Sequence, residues 1–369
     1  MWLTLLFLAL AVLLAAALLI LPPNAGKVSP VLTDDGRPAE NGIAEKIWLP
    51  VNGVQQGMIL RGGDRTRPLL LFLNGGPGIP DYFLAQNAAF HRLLLGLPGP
   101  GAVLFAGDPA GGLHTTEQSV QDALAVTDAL RARFGQDRIY LMGHSYGTFI
   151  GLLCAQAAPE KYHAYIAMSQ IADQPRSELT ALHAMEQAAQ RQGDRRTAER
   201  LTQYDTETAD AARLRRWFSE PERDRAMHAL GGGTTAQMRS VISGIFFPTL
   251  RGTDYTQMER INIWRGKALL QNAPTAYDRM EFSAADAVPS LELPVYFFAG
   301  ENDLTCCYAV QRDYFDRLSA SEKGFYTFAG CAHSPLFESP AQALRILRED
   351  VLTGRFTLAD GAEPEGAGA

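Results

Sequence analysis

The chain has 369 residues, of which 47% are hydrophobic and 20% charged, enough for one large core or a core with an inserted domain. Its formal net charge is −7 and it has no basic block, which excludes an electrostatic nucleic-acid surface. The four cysteines and seven histidines lack the spacing of a zinc site, so no metal and no cofactor are expected.

The N-terminal segment is apolar from Trp2 to Leu21 and is followed by Pro22 and Pro23. About 20 apolar residues cross a bilayer, and no Lys or Arg precedes this run, unlike in a cleavable signal peptide. The sequence therefore predicts an N-terminal transmembrane helix, with residues 1–24 as the anchor of a single-pass membrane protein. The side of the membrane stays open, and a cleaved signal peptide is the alternative.

The first part of the chain alternates strand and helix patterns. β-rich runs flank Asn52-Gly53, which predicts a hairpin, and two buried strands follow in "PLLLFL" and "AVLFAG". Apolar spacing predicts a helix that Gly135 ends, followed by a strand from Arg138 to Met142. A helix over about 148–158 and the strand "AYIAM" complete this part. Such alternation is typical of a mostly parallel sheet covered by helices on both faces.

The pattern changes after Met168. Residues 173–285 have helical spacing and few strand-like runs, which predicts an inserted helical cap. The alternation returns with "PVYFFAG", a helix over about 308–318, "GFYTFAG" and a last helix opened by Ser339 and Pro340. We therefore expect core segments over 40–172 and 286–355, with a disordered tail over 356–369.

A candidate nucleophile lies in "RIYLMGHSYGTFIG", where Ser145 stands between Gly143 and Gly147 at the end of a strand. A sharp strand-to-helix turn exposes a serine hydroxyl and leaves space only for glycine two residues before and after it. The N-terminal amides of the following helix favour developing negative charge. The pattern predicts a nucleophile elbow.

An elbow of this type requires an acid and then a histidine on turns after later strands. Asp303 follows "VYFFAG", and His333 follows "FYTFAG". His144 is adjacent to the serine, so its side chain points away and we interpret it as structural. Tyr146 and Gly76, in "NGGPG", are the expected backbone donors of an oxyanion hole.

The segments "LFLNGGPG", "YLMGHSYGTFIGLLCAQAAPE", "YFFAGEND" and "FAGCAHSPLFESP" together resemble the proline iminopeptidase branch of the α/β-hydrolases over about residues 45–353. The resemblance implies an α/β-hydrolase fold with a helical cap, and release of an N-terminal residue from small peptides. It also implies that Ser145 is the nucleophile, that His333 is the base, and that Asp303 orients the histidine. The expected partner is a small molecule or short peptide.

Three departures from the family bear on the substrate. Asn74 stands where the family has histidine, and "AGDPAGG" replaces an Asp-Gln-Arg-Gly corner. The cap carboxylates that hold a substrate amine have no clear match, with Glu178 and Glu186 as candidates only. A carboxylesterase or lipase is therefore the alternative, and a catalytically silent binding protein on the same fold is the alternative from another class. Serine at the nucleophile position disfavours a dehalogenase or epoxide hydrolase.

Two interpretations of the redox state of the cysteines remain open. Cys306 and Cys307 follow Asp303 closely and Cys331 precedes His333, so the two groups are expected on neighbouring turns. Cys331 could then form a disulfide with Cys306 or Cys307 in an oxidising compartment, or all could be reduced and packed. Cys154 is expected in the core in either case.

Overall fold

The structure is a computed structural model that describes residues 6–7, 9–13, 26–85, 102–106, 114–204, 211–271 and 273–362. The strands, in chain order, are β1 (Ile43–Val51), β2 (Val54–Gly62), β3 (Leu70–Leu73), β4 (Ala102–Ala106), β5 (Ile139–His144), β6 (Tyr162–Met168), β7 (Ser290–Leu291), β8 (Val295–Gly300), β9 (Ser319–Ala320) and β10 (Lys323–Phe328). Eight of them form one sheet in the order β1-β2-β4-β3-β5-β6-β8-β10, and β7 pairs with β9.

The large sheet is mixed, with an antiparallel edge and a parallel body. The β1–β2 hairpin turns through Asn52 and Gly53, which both have positive φ, and β2 pairs antiparallel with β4. All pairs from β4 to β10 are parallel. The predicted hairpin and mostly parallel sheet are therefore confirmed, and the carboxyl ends of the parallel strands meet at one edge of the sheet.

Helices cover the sheet and form a separate layer above it. Those of the core are α1 (Tyr82–Ala85), α2 (Thr116–Phe134) and α3 (Tyr146–Ala157), followed after the insertion by α12 (Tyr308–Arg317), α13 (Pro335–Glu338) and α14 (Pro340–Glu349). Between β6 and β7 lie α4 (Gln174–Arg191), α5 (Arg195–Thr202), α6 (Ala211–Phe218), α7 (Pro221–Ala229), a π-helical turn (Ile242–Phe246), α8 (Phe247–Arg251), α9 (Gln257–Leu270), α10 (Pro274–Glu281) and α11 (Ala284–Ala287). We call this inserted group of helices the cap.

Residues of the parallel strands alternate between two apolar clusters because successive side chains of a strand point to opposite faces. Leu141, Tyr165 and Phe297 belong to one cluster, with α2, α3 and α12. Met142 and Phe298 belong to the other, with α14. Both faces of the sheet are thus buried, which explains why its strands read as continuous apolar runs.

The expectation of a transmembrane helix over Trp2–Leu21 is wrong. Among the described residues, no helix combines the length and the apolar character needed to cross a membrane. Apolar composition over 20 residues is necessary for a spanning helix but does not by itself produce one. The predictions of a membrane anchor over 1–24 and of a single-pass membrane localisation depended on this helix and are therefore wrong as well.

The C-terminal segment is described as far as Ala362. Asp360 donates its backbone N–H to the carbonyl of Phe325, and its carboxylate accepts the backbone N–H of Thr327 at 3.1 Å. Phe356 stacks on Tyr296 with ring centroids 4.6 Å apart. Residues 356–362 therefore pack against the edge of the sheet, where we expected disorder.

Candidate active site

Ser145 lies between the end of β5 and the start of α3 in a strained conformation, with φ 52° and ψ −119°. A non-glycine residue in this region costs about 1–3 kcal/mol, which the surrounding structure must supply. A Cβ on Gly143 would lie 2.4 Å from the carbonyl oxygen of Gly147, and one on Gly147 would lie 2.0 Å from that of Leu73. Only glycine fits at both positions, which is the steric reason for the sequence pattern.

Asp303 and His333 come together from the turns that follow β8 and β10. The Nδ1 atom of His333 lies 2.9 Å and 3.1 Å from the two carboxylate oxygens of Asp303. Since a carboxylate accepts, Nδ1 carries the proton and Nε2 is left to accept one. A Cβ on Gly300 would lie 1.8 Å from the carbonyl oxygen of Ala332, so the two turns are in contact.

The acid is held mainly by backbone amides. Asp303 is 2% exposed, and its Oδ1 accepts the N–H groups of Thr305 at 2.8 Å and Cys306 at 2.9 Å. Gln311 Nε2 lies 3.4 Å from the other carboxylate oxygen. These donors fix the orientation of the carboxylate that faces His333, a contact that sequence reasoning did not supply.

The glycine turn after β3 lies against Ser145. A Cβ on Gly75 would be 3.2 Å from the Cβ of Ser145, and Gly76 has φ 114°, which glycine adopts without strain. Tyr146 is the first residue of α3, and the first amides of a helix have no intrahelical partner. Of the two residues expected to donate to an oxyanion, Tyr146 thus follows Ser145 directly, and Gly76 follows Gly75, the glycine that lies close to Ser145.

His144 is buried beside the serine and bridges two turns. Its Nδ1 lies 2.8 Å from an oxygen of Asp81, and its Nε2 lies 2.8 Å from the carbonyl oxygen of His333. Both nitrogens face acceptor oxygens, an arrangement that favours the doubly protonated imidazolium form of the ring. Burial opposes that charge, but the Asp81 carboxylate and the His333 carbonyl outweigh it and raise the pKa of His144. The structural interpretation of His144 agrees with these contacts.

Asp81 is a site residue that the sequence analysis missed. The same carboxylate oxygen that pairs with His144 accepts the backbone N–H of Gly75 at 2.7 Å. Asn74 Oδ1 accepts the backbone N–H of Asp81 at 3.2 Å, so Asn74 also stabilises this turn. A single chain of hydrogen bonds therefore runs from the glycine turn through Asp81 and His144 to the backbone of His333. No local sequence motif identifies Asp81 as a site residue, because its partners come from distant segments.

The cap is hydrogen-bonded to the acid and base turns. Gly232 accepts the N–H of Leu304 at 3.0 Å, and Gly233 accepts that of His333 at 3.3 Å. Glu338 accepts the backbone N–H groups of Ala236 at 2.7 Å and Ala332 at 3.0 Å. Burial raises the pKa of Glu338.

Glu178 and Glu186, the two cap carboxylates considered as ligands of a substrate amine, already accept hydrogen bonds from side chains of the protein. Glu178 is fully buried, and its two oxygens accept from Arg223 at 2.6 Å and 2.5 Å and from Gln174 at 2.8 Å. Glu186 accepts from Gln190 on the same helix. The structure thus pairs Glu178 with a buried arginine, which occupies both of its oxygens.

The four cysteines are buried free thiols, so the structure contains no disulfide between Cys331 and Cys306 or Cys307. The sulfur of Cys307 lies 3.2 Å from the carbonyl of Ser177 in the cap, and Cys306 packs in the same apolar cluster. Cys331 packs in the cluster on the other face of the sheet. Cys154 is completely buried, as expected, and burial raises its pKa to about 12.

A cavity of about 390 Å³ opens beside the glycine turn. It reaches the site at Gly75 and Tyr146, and it extends between the β1–β2 hairpin and cap helix α9, where Ile263 contributes to its wall. The segment 107–112 of "AGDPAGG", which departs from the family pattern, lies outside the described residues. Its lining includes Gly75 and Tyr146 but not Gly76, Ser145 or His333, so it lies beside the candidate catalytic residues, with a volume that suffices for part of a small substrate.

Comparison with known proteins identifies the family to which the chain belongs. The profile of a family described as the alpha/beta hydrolase fold matches residues 68–340. The "Probable aminopeptidase YbaC" of Bacillus subtilis (strain 168) is 24% identical over 310 residues, covering 82% of this chain and 95% of that protein. The proline iminopeptidase of Lactobacillus delbrueckii subsp. lactis is 24% identical over 322 residues, covering 83% and 97%.

Among solved structures, the proline iminopeptidase of Mycobacterium smegmatis matches with a TM-score of 0.57 at 17% identity, covering 84% of this chain and 98% of that one. At this identity the likeness concerns the fold. The family match confirms the resemblance carried by the glycine turn, the elbow and the two later turns.

Proposed function

Because the chain belongs to the α/β-hydrolase fold family, we propose that it is a serine hydrolase that acts through an acyl-enzyme, releasing an N-terminal residue from small peptides or amides. The observation that carries the proposal is the strained Ser145 next to a glycine turn, with the His333–Asp303 pair on neighbouring turns. Strain of this kind persists where function requires it. The names of the relatives support the aminopeptidase activity.

In this mechanism, the Oγ of Ser145 attacks the acyl carbon while Nε2 of His333 takes its proton. Asp303 holds the ring by Nδ1 and stabilises the imidazolium that forms. The backbone N–H groups of Gly76 and Tyr146 donate to the oxyanion of the tetrahedral intermediate. His333 then gives its proton to the leaving amine, and water hydrolyses the acyl-enzyme by the same steps in reverse.

An esterase is the second candidate, and the pairing of Glu178 with Arg223 favours it. An aminopeptidase must neutralise the protonated amine of its substrate, since a buried unpaired charge costs several kcal/mol. Both oxygens of Glu178 are already occupied by Arg223 at 2.6 Å and 2.5 Å. An ester substrate without an amine needs no free carboxylate in the cap.

Two measurements test the proposal. An uncharged fluorophosphonate probe should label Ser145, located by mass spectrometry of the adduct. Alanine and proline 4-nitroanilides should be hydrolysed with a higher kcat/KM than their N-acetylated forms, with 4-nitrophenyl butyrate as the ester control. Labelling with turnover of the ester alone would identify an esterase. Absence of both labelling and turnover would identify a catalytically silent binding protein.

A further inference from the structure

Arg279, on cap helix α10, is 5% exposed and reaches the glycine turn. Its Nη1 donates to the carbonyl oxygen of Gly76 at 3.1 Å, and its guanidinium carbon lies 4.6 Å from the ring centroid of Phe218. From the same helix, the Thr275 hydroxyl lies 2.6 Å from the Tyr146 hydroxyl. Helix α10 therefore contacts both residues proposed to donate to the oxyanion.

The guanidinium of Arg279 lacks an anionic partner. Among the residues that the structure describes, no carboxylate lies within salt-bridge distance of it, and its buried Nε has no hydrogen-bond partner. Burial lowers the pKa of Arg279, although an arginine stays protonated at neutral pH. The carboxylate that raises its pKa, Glu178, is bound to Arg223 through both oxygens. Glu178 therefore pairs with Arg223 and leaves Arg279 without a carboxylate partner among the described residues.

A second cation lies beside the same turn. A Cβ on Gly78 would be 2.9 Å from the Cα of Lys267, on α9, so this lysine packs directly against the glycine turn. Burial, together with the charge of Arg279, lowers the pKa of Lys267 to about 8. Arg279 and Lys267 thus place two cationic residues of the cap beside the glycine turn, whereas two carboxylates of the same helices, Asp278 and Glu259, are bound by Thr116 and Lys46.

We infer that Arg279 binds a carboxylate of the substrate next to the acyl carbonyl, so that the enzyme prefers substrates carrying a carboxylate over neutral ones. The inference rests on the proposed serine hydrolase function and specifies its substrate class. A guanidinium has fixed donors that suit a carboxylate, and Nη1 is used by Gly76 while Nε is unused. A bound anion would supply the partner that the buried cation lacks.

The carboxylate could belong to the acyl part of the substrate or to its leaving group, and two matched pairs distinguish these sources. Monoethyl glutarate and ethyl pentanoate differ by a carboxylate on the acyl side. Alanyl-glycine and alanyl-glycinamide differ by a carboxylate on the leaving side. Kinetics are measured for the wild type, Arg279→Met and Arg279→Lys. If a pair is not turned over, the protection that each member gives Ser145 against the fluorophosphonate probe provides the same ranking.

We expect the wild type to prefer the carboxylate member of one pair, and Arg279→Met to lower its kcat/KM by about 10- to 100-fold, mainly through KM. The neutral member should lose distinctly less, because it loses only the hydrogen bond that Arg279 donates to the Gly76 carbonyl, and Arg279→Lys should restore part of the preference. The matched control is Arg260→Met, which removes another buried cap arginine, one whose Nη1 binds the Leu250 carbonyl. Thermal midpoints check that each variant is folded.

No preference for the carboxylate member of either pair would overturn the inference. So would an equal loss for both members of a pair in Arg279→Met with slower probe labelling, since Arg279 would then only tether the glycine turn. Failure of the probe to label wild-type Ser145 would instead overturn the proposed function itself. The two failures are therefore distinguishable by the labelling of the wild type.

Discussion

The two sides of Ser145 are stabilised in different ways. On the acid–base side, backbone N–H groups of the turn after β8 hold Asp303, and the parallel pairing of β8 with β10 brings His333 to it. On the oxyanion side, a side-chain carboxylate holds the N–H of Gly75 and a cap arginine holds the carbonyl of Gly76. One side depends on main-chain geometry, and the other on charged side chains from distant segments.

This difference predicts where the site tolerates substitution. Main-chain donors are kept in most substitutions. On the acid–base side, activity should therefore be sensitive to substitution of Asp303 and His333 and tolerant of substitution at the residues around them. The oxyanion side should be sensitive at Asp81, which does not touch the substrate in the proposed mechanism, because the position of the Gly75 N–H depends on its carboxylate.

Replacing Ser145, the proposed nucleophile, should have the largest effect. Ser145→Ala should lower kcat by at least about 10⁴-fold, because loss of a triad member removes the covalent route. Thermal unfolding should change little, since alanine keeps the strained backbone at φ 52°. Initial rates and calorimetry measure the two quantities.

The control is Ser145→Gly, which should be equally inactive but more stable than Ser145→Ala, because glycine relieves the positive φ. Retention of more than about a tenth of wild-type activity in either variant would contradict the assignment of the nucleophile.

Asp81→Asn should lower kcat by about 10- to 100-fold by shifting the glycine turn, although Asp81 takes no part in proton transfer. It should also lower the free energy of unfolding by about 3 kcal/mol, because it leaves the buried His144 imidazolium without its anion. Steady-state rates measure the change in kcat, and urea titrations measure the change in the free energy of unfolding.

The matched control is Asp128→Asn, which changes an aspartate whose side chain is 51% exposed and pairs with Arg131 and Lys161. It should cost no more than about 1 kcal/mol and leave kcat unchanged. Equal effects of the two substitutions would refute the contrast between the sides of the site.

Sequence reasoning predicted the side held by backbone and largely missed the side held by side chains. Asp303 and His333 follow buried strands that end in recognisable turns, so their contact is a consequence of the pairing of β8 with β10. Asp81 and Arg279 have no local pattern, because each acts on the glycine turn from a separate segment. The same limit explains Glu178: its sequence context shows a carboxylate on a helix but not the arginine that occupies it.

The N-terminal segment shows the opposite failure. Its apolar run over 2–21 met the length criterion for a span, yet the described residues contain no helix that satisfies it. A local pattern was sufficient for the strands because their burial is confirmed by pairing with neighbours. The N-terminal run had no such second constraint, so its length alone led to the wrong prediction.

The charge of His144 should appear in the pH dependence of stability. Its pKa is raised in the folded state, opposed by burial and favoured by the Asp81 carboxylate, the His333 carbonyl and the Asp303 charge. The stabilisation is therefore fully present below the unfolded pKa of about 6.5, and it is lost as the pH rises through the folded pKa.

The unfolding free energies of the wild type and His144→Gln should thus differ most at acidic pH and converge as the pH rises towards 9. Urea titrations at intervals between pH 5.5 and 9 measure the difference. A gap that widens with pH would show that His144 is neutral in the folded protein.

The smallest effect should follow from Thr305→Ala. Thr305 lies directly beside the acid, yet it holds Asp303 through its backbone N–H at 2.8 Å, and its hydroxyl only approaches the sulfur of Met227 at 3.9 Å. Alanine keeps the N–H, so kcat/KM should stay within about threefold of the wild type. Thr305→Pro removes the N–H and should lower kcat much further, because the carboxylate loses a donor that orients it towards His333. If alanine lowered kcat as much as proline, the acid would depend on a side chain after all, and the two sides of Ser145 would be stabilised alike.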